Sequence, residues 1–469
     1  MKKLICIIFL LLCIIEKSYA NENILFLSDI HFNPYGLCKK QPCEVLTQLI
    51  KNEIKNWPQI LANDNMINYK METGNSFLLK GLNNLTLIIR QNNIYDIFLT
   101  GDILTHNFDN QYYKYVVKEY KTQENLTNFS LKASSYVLSQ IKSATNNAKI
   151  FYILGNNDGD QPDYVTPSPK FLNSIAKVLS KELSPLEQKI FEQDFSSAGY
   201  FSLALNKKTL VIGINTNLLS AVHPDARLAT IQLKWLDKTL AMAQEHNQHV
   251  ILLQHIPYGA DFYKSAVNKT SIILMDTKLQ AQYIKVLNKY NNISGIYSGH
   301  FHADYFELIS DKKISLVSTI SFNSQFGNNP GFKVLNLDEN GLLYNYTTYY
   351  ADLTNNKKLA WKIEYQLSSV YPGNIHNIIK NIPVRSQSNF FYRTFYNGSS
   401  KKYPAPITRD SNWAYYACAI MNINKDNYSK CLFDKRFNGQ LEGYFIDYFI
   451  TLIDRMFLFG PIKEYLTLL

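Results

Sequence analysis

At 469 residues, 46% of them hydrophobic and 14% aromatic, the chain carries enough apolar mass for at least one large core, which excludes a disordered or fibrous protein. Its formal charge of +10 includes +2 from an N-terminal stretch holding Lys2, Lys3 and Lys17 against Glu16, so 10 − 2 leaves +8 for the remainder. No Lys/Arg run is interleaved with aromatics, so a solvated lysine surface is expected in place of a nucleic-acid groove; attraction to anionic substrates or membrane surfaces stays open.

In chain order, residues 1–20 read as a secretory signal: two lysines, the apolar run "LICIIFLLLCII", and "SYA" as a small-residue cleavage site before Asn21. That run is too short to span a bilayer, and "YFIDYFITLIDRMFLFG" near the C-terminus is broken by Asp447, Asp454 and Arg455, so no stable membrane span is expected. Cys13 follows leucines, which disfavours lipid attachment. With Cys6 and Cys13 assigned to the signal, the remaining cysteines, Cys38, Cys43, Cys418 and Cys431, allow three pairings, and proximity favours Cys38–Cys43 with Cys418–Cys431 in an oxidising compartment. The expected location is therefore outside the cell, in a periplasm or in an endomembrane lumen. Sequons such as those at Asn84 and Asn397 matter only in a eukaryotic secretory route.

From residue 23 to about 350, short apolar runs alternate with helical patterns. "NILFLSD", "YDIFLTGD", "KIFYILGNND", "TLVIGINT", "HVILLQH", "SGIYSGH" and "ISLVST" are almost continuously apolar, the mark of strands covered on both faces. In "TIQLKWLDKTLAMAQEH", Ile231, Trp235, Leu236 and Leu240 are expected to share a helix face. A hairpin is expected over 332–350, turning at Asn340 and Gly341. The reading is a layered α/β domain over 21–355, then a smaller, mostly helical region over 356–469 with helical patterns near 411–424 and 441–457.

Five of these strands end in residues that ligate metals: Asp29 and His31, Asp102, Asn156, His255, then His300 and His302. Ligands of layered α/β sheets sit beyond the carboxyl ends of strands. Imidazole with carboxylate suits Zn, Mn or Fe, and a carboxylate such as Asp102 can bridge two ions. Such a pair activates water and clamps the oxygens of a displacement at phosphorus. In "GHFH", alternate residues of an extended segment would turn both imidazoles to one side. His223, His246, His249 and His376 have no comparable setting, and His246 and His249 follow a predicted helix, where its C-terminal dipole accounts for them.

The order D-x-H, GD, GN, H, GHxH resembles the calcineurin-like metallophosphoesterase superfamily. "SDIHFNPYG", "LTGDILTH", "NTN", "WLDKTL", "HIPYG" and "GHFHADYF" are similar to its acid sphingomyelinase-like phosphodiesterase branch. The resemblance, over roughly residues 23–350, implies a four-layer β-sandwich flanked by helices and two divalent ions, usually zinc. It implies that Asp29, His31 and His302 hold one ion, Asn156, His255 and His300 the other, with Asp102 bridging. Few residues precede Asp29, so no saposin-like domain is expected there, which moves the expectation from sphingomyelin towards nucleotide and other soluble phosphodiesters.

One residue departs from the pattern. Asn157 stands where the family has the histidine of G-N-H, and an amide donates a hydrogen bond but is no general acid. His106, four residues after Asp102, matches the branch's other active-site histidine. The expected activity is phosphodiester or phosphoanhydride hydrolysis by a metal-bridging hydroxide, with His106 and Asn157 steadying the transition state. Substrates would be nucleotide-type or phospholipid-headgroup-type. The alternatives are a phosphomonoesterase on the same core, or a degenerate member that binds a phosphorylated ligand or a protein. Peripheral membrane contact and the oligomeric state are left open.

Overall fold

The computed structural model describes residues 22–64, 67, 69–309, 314–354, 359–370, 373, 375 and 413–434. The predicted signal stretch and the helical pattern at 441–457 lie outside the described residues.

Among the described residues there are twelve strands: β1 (Glu22–Leu27), β2 (Asp96–Leu99), β3 (Lys149–Tyr152), β4 (Phe201–Ala204), β5 (Thr209–Ile214), β6 (His249–Gln254), β7 (Ile293–Ser298), β8 (Phe306–Ile309), β9 (Ile314–Ser318), β10 (Gly331–Leu337), β11 (Leu343–Tyr350) and β12 (Lys362–Gln366). They form two six-stranded mixed sheets in the orders β12-β11-β10-β1-β2-β3 and β4-β5-β6-β7-β9-β8. Parallel pairing runs through β1-β2-β3 and through β5-β6-β7-β9, and all other pairs are antiparallel.

The seven strands expected from apolar runs are the parallel ones. Their side chains alternate between two cores: Val211, Ile251, Leu253, Tyr297 and Val317 face the space between the sheets, whereas Ile212, Leu252, Ile296 and Leu316 face helices Ala226–Glu245 and Thr277–Leu287. Across the inter-sheet space, Phe26 and Phe98 meet Tyr297 at ring distances of 5.6 and 5.5 Å. Helices Asn75–Gln91 and Gln123–Ala144 contribute to the same core as β1 and β2. The α/β sandwich flanked by helices is thus present.

Three differences have physical reasons. Ile231 is 43% exposed, because the buried stripe of its helix runs through Ala229, Leu233, Leu236 and Leu240 and leaves Ile231 on the opposite side. Strands β4, β8 and β12 were not expected; each is a sheet edge and very short, so no long apolar run announces it. The expected boundary at residue 355 falls before β12, which pairs antiparallel with β11 through its backbone although "KIEYQ" is mostly exposed.

The hairpin β10–β11 turns as expected, with Gly341 at φ +72°. Both expected disulfides, Cys38–Cys43 and Cys418–Cys431, are formed. Helix Trp413–Met421 adds Tyr415, Cys418 and Ile420 to the larger apolar core beside the edge strand β8, with Tyr416 against Phe262 at 5.2 Å. No helix among the described residues is long and apolar enough to cross a membrane.

Candidate metal centre

The registers Leu27–Leu99 and Leu99–Tyr152 bring the ends of β1, β2 and β3 level. The loops after them interlock: Asp29 N–H donates to Gly101 O at 3.0 Å and His31 N–H to Asp102 O at 2.9 Å. From the second sheet, the loop after β7 approaches so closely that a Cβ on Gly299 would lie 2.0 Å from Ser28 Oγ, and one on Gly155 would lie 2.1 Å from Asp102 N. These are the glycines of the GH and GN motifs, and their lack of a side chain lets the strand ends meet.

All seven predicted donors converge. His31 Nε2 lies 3.1 Å from His302 Nε2, and His302 Nε2 is 3.3 Å from Asp29 Oδ1. Asn156 Oδ1 lies 3.0 Å from His255 Nε2 and 2.9 Å from His300 Nδ1. Between the two groups, Asp102 Oδ2 is 3.6 Å from His31 Nε2 and 3.1 Å from His255 Nε2. One carboxylate oxygen therefore faces both clusters.

Five of the seven have left-handed backbones: Asp29 (φ +52°), His31 (+48°), Asp102 (+52°), His300 (+75°) and His302 (+55°). Each costs about 1–2 kcal/mol for a residue with a Cβ, so surrounding contacts must hold the site in place. This corrects the expectation for "GHFH": the segment is not extended. Positive φ at both histidines turns His300 to the Asn156 cluster and His302 to the Asp29 cluster.

The supports are buried carboxylates and amides. Asp158 accepts N–H bonds from Gly155 (2.8 Å), Asp102 (2.7 Å), Ile103 (2.8 Å) and Leu104 (3.1 Å), clamping the GD loop to the GN loop. His300 N–H reaches Asp29 Oδ2 at 3.1 Å. In the "NTN" motif, Asn217 Nδ2 donates to Gly155 O at 2.8 Å, and Thr216 Oγ1 accepts Ile256 N–H at 2.9 Å. Asp304, two residues after His302, is paired with Lys333 at 2.5 Å, both fully buried, and accepts the Tyr365 hydroxyl at 2.6 Å.

The donor set fits divalent ions. Imidazole nitrogens and carboxylate oxygens crowd within 4.8 Å of one another in overlapping groups, and the amide oxygen of Asn156 lies 2.9 Å from His300 Nδ1, a mixture suited to Zn, Mn or Fe. His255 gives its Nδ1–H to Thr100 O at 2.6 Å, which turns Nε2 towards Asp102 Oδ2 and Asn156 Oδ1. Burial is the main reason that His31 is pushed down to about 4 and His300 to about 3, so both imidazoles are neutral at neutral pH, as coordination requires.

His106 stacks on His31, with centroids 4.1 Å apart and planes within 5°. Its Nδ1 lies 3.0 Å from Glu72 Oε1, which also takes its backbone N–H at 3.1 Å, and the Thr105 hydroxyl binds the other Glu72 oxygen. Burial opposes its charge, but the Glu72 contact, helped by Asp102, raises its pKa above the ordinary imidazole value. Asn157 lies over Asp102: its N–H donates to Oδ1 at 2.8 Å and its Nδ2 to Oδ2 at 2.7 Å. The amide expected to face substrate is thus engaged by the shared carboxylate. Sequence reasoning missed Glu72 and Asp304. Asp304 follows "GHFHA" directly, but nothing in "METG" marks Glu72.

His246 caps its helix through Met242 O at 2.8 Å, as a histidine after a helix is expected to do.

A model of the calcineurin-like phosphoesterase family matches residues 22–304. Human cyclic GMP-AMP phosphodiesterase SMPDL3A is 28% identical over 322 residues, 62% of this chain and 68% of that protein. Sphingomyelin phosphodiesterase B of Dictyostelium discoideum is 24% identical over 370 residues, 72% of this chain and 53% of that protein. Among solved structures, a dimetal phosphatase from Danio rerio is similar with a TM-score of 0.40 at 12% identity, covering 70% of this chain and 95% of that one. With its motifs in order at the strand ends and its family model matched across seven of the twelve described strands, the chain belongs to the calcineurin-like phosphoesterase family, in the acid sphingomyelinase-like branch.

Proposed function

We propose that the protein is an exported phosphodiesterase that works with two divalent ions, zinc first among them. Asp29, His31 and His302 would hold one ion and Asn156, His255 and His300 the other, with Asp102 shared. The observation that carries this reading is Asp102 Oδ2, which stands within 3.6 Å of His31 Nε2 and 3.1 Å of His255 Nε2 and so faces both donor groups. When bound, the ions supply a water of lowered pKa and neutralise charge on the phosphoryl oxygens.

The chain's own residues orient and protonate. Glu72 accepts His106 Nδ1–H and stabilises the imidazolium, so the opposite ring edge can give a proton to the leaving oxygen. Asn157 is a positioning residue that fixes the Asp102 carboxylate through two hydrogen bonds. With one imidazole fewer than the family pattern, esters and anhydrides with acidic leaving groups are the favoured substrates. The two relatives' names point to nucleotide-type and phospholipid-headgroup-type diesters. Export is supported by the N-terminal apolar stretch and the two disulfides.

The test compares hydrolysis of bis(4-nitrophenyl) phosphate and 4-nitrophenyl phosphate by the purified protein, with zinc and with manganese, using Asp102→Asn as the blank. Diester turnover that the blank lacks is expected. Monoester turnover alone, or equal rates in the blank, would overturn the reading.

A further inference from the structure

Two flanks border the metal centre. On one, His106 stacks on His31, and beside it the surface sinks into a cleft of about 360 Å³ whose walls include Asn33, Glu72 and Gln111. On the other, the ring of Tyr164 stands edge-on to His300, with centroids 6.1 Å apart and planes at 83°. Tyr164 is half-buried, and its hydroxyl is neither sealed from solvent nor hydrogen-bonded to any of the described residues.

The backbone at Tyr164 is strained, with φ +69°. Apart from the metal donors, the other left-handed residues with a Cβ among the described residues are five asparagines and two lysines. Asparagine tolerates this conformation, whereas a bulky ring is an outlier in it. Strain of this kind gathers at ligand-binding and catalytic sites, where surrounding contacts hold it.

Those contacts are present. Tyr164 N–H donates to Asn156 O at 2.7 Å and Val165 N–H to Pro162 O at 3.0 Å. At the base of the loop, Asp160 accepts the Thr127 hydroxyl at 2.6 Å and Ser168 N–H at 2.8 Å. Asn107 N–H donates to Asp163 Oδ1 at 3.1 Å, so the residue after His106 is tied to the residue before Tyr164. The two flanks are thereby held in a fixed relation, and a donor on a fixed loop loses little freedom when it binds. Burial, and after it the carboxylates of Asp102, Asp261 and Asp163, push the phenol's pKa up, so it keeps its proton.

We infer that Tyr164 binds the substrate directly, its hydroxyl donating a hydrogen bond to a non-bridging phosphoryl oxygen on the side of Asn156, His255 and His300. The inference rests on the phosphodiesterase reading, in which the phosphoryl group lies between His106 and Tyr164. Asn157 turns both its N–H and its Nδ2 to Asp102, which leaves the phenol to meet the oxygen on this flank.

The test uses the purified, zinc-loaded protein and Tyr164→Phe, which keeps the ring against His300 and removes only the hydroxyl. Affinity for inorganic phosphate is measured by calorimetric titration, which needs no turnover, and kcat/KM is measured on bis(4-nitrophenyl) phosphate. Both are expected to fall roughly ten- to hundredfold in Tyr164→Phe, the worth of one hydrogen bond to a charged oxygen, with Tm and bound zinc unchanged. Equal phosphate affinity in the two proteins overturns the inference, as does an active Tyr164→Phe protein with the wild-type kcat/KM. A fall that comes with lost zinc or a lower Tm overturns it too, because the phenol would then only support the centre. If neither protein hydrolyses the diester and Tyr164→Phe still binds phosphate more weakly, the phosphodiesterase reading fails and the phosphate contact stands.

Discussion

Asp158 bears directly on how the centre is assembled, although it is not among the donors. Its buried carboxylate accepts four backbone N–H groups, from Gly155, Asp102, Ile103 and Leu104, and so ties the loop bearing Asp102 to the loop bearing Asn156. Asp158→Asn keeps the shape but turns one acceptor into an NH2 group that faces N–H donors. Two charge-assisted bonds are lost, at about 1.5–3 kcal/mol each, before any relaxation. Allowing for partial repacking, a loss of about 2–4 kcal/mol is expected. Unfolding a chain of this size carries roughly 0.9 kcal/mol per kelvin, so Tm should fall by about 2–5 °C. Differential scanning calorimetry measures that, and the same sample's diesterase rate should fall more steeply than its stability, because displacement of Asp102 by about 1 Å can cost on the order of 100-fold. An Asp158→Asn protein with unchanged Tm and full kcat/KM would refute the clamp.

Asn157→His restores an imidazole beside Asp102; diesters with alkyl leaving groups should gain at least tenfold in kcat, those with 4-nitrophenolate far less, and an equal gain on both would contradict the leaving-group argument. Burial lifts Glu307 to about 8, with the Tyr305 hydroxyl 3.2 Å from its Oε1. The folded state therefore holds this proton more tightly than the unfolded chain, and stability falls as pH rises from about 4.5 to about 8, by about 1.4 kcal/mol per unit. Melting curves across that range should slope less in Glu307→Gln, and parallel curves would disprove the assignment. Lys333→Met leaves the Asp304 carboxylate buried without its cation, at about 3–5 kcal/mol; calorimetry should show a fall of roughly 3–6 °C, partly recovered in the Lys333→Met/Asp304→Asn double variant, and a single variant as stable as wild type would refute the pairing.

The parallel strands were legible because burial on both faces writes itself as continuous apolar sequence, and the donors were legible because they sit one to four residues beyond those runs. What stayed hidden depends on contacts distant in sequence. Glu72 reaches His106 across 34 positions, Lys333 reaches Asp304 across 29, and neither partner sits in a motif. "GHFH" shows its spacing but not its backbone, so an extended geometry was expected where two left-handed residues send the histidines to different clusters. The cleft beside His106 escaped for the same reason. Asn33 and Gly36 of the quoted "SDIHFNPYG" motif line the cleft, but Lys70, Met71 and Gln325 come from stretches with no signature.

The central claim is that Asp102 joins two ion sites into one reacting centre. It is tested most directly by measuring bound metal per chain by mass spectrometry alongside diesterase rate, in wild type and Asp102→Ala, after chelation and reloading with zinc. Two ions per wild-type chain, with activity that returns on reloading and is lost in Asp102→Ala, is the result this account requires. Diester hydrolysis that survives chelation, or an Asp102→Ala protein as active as wild type, would contradict it.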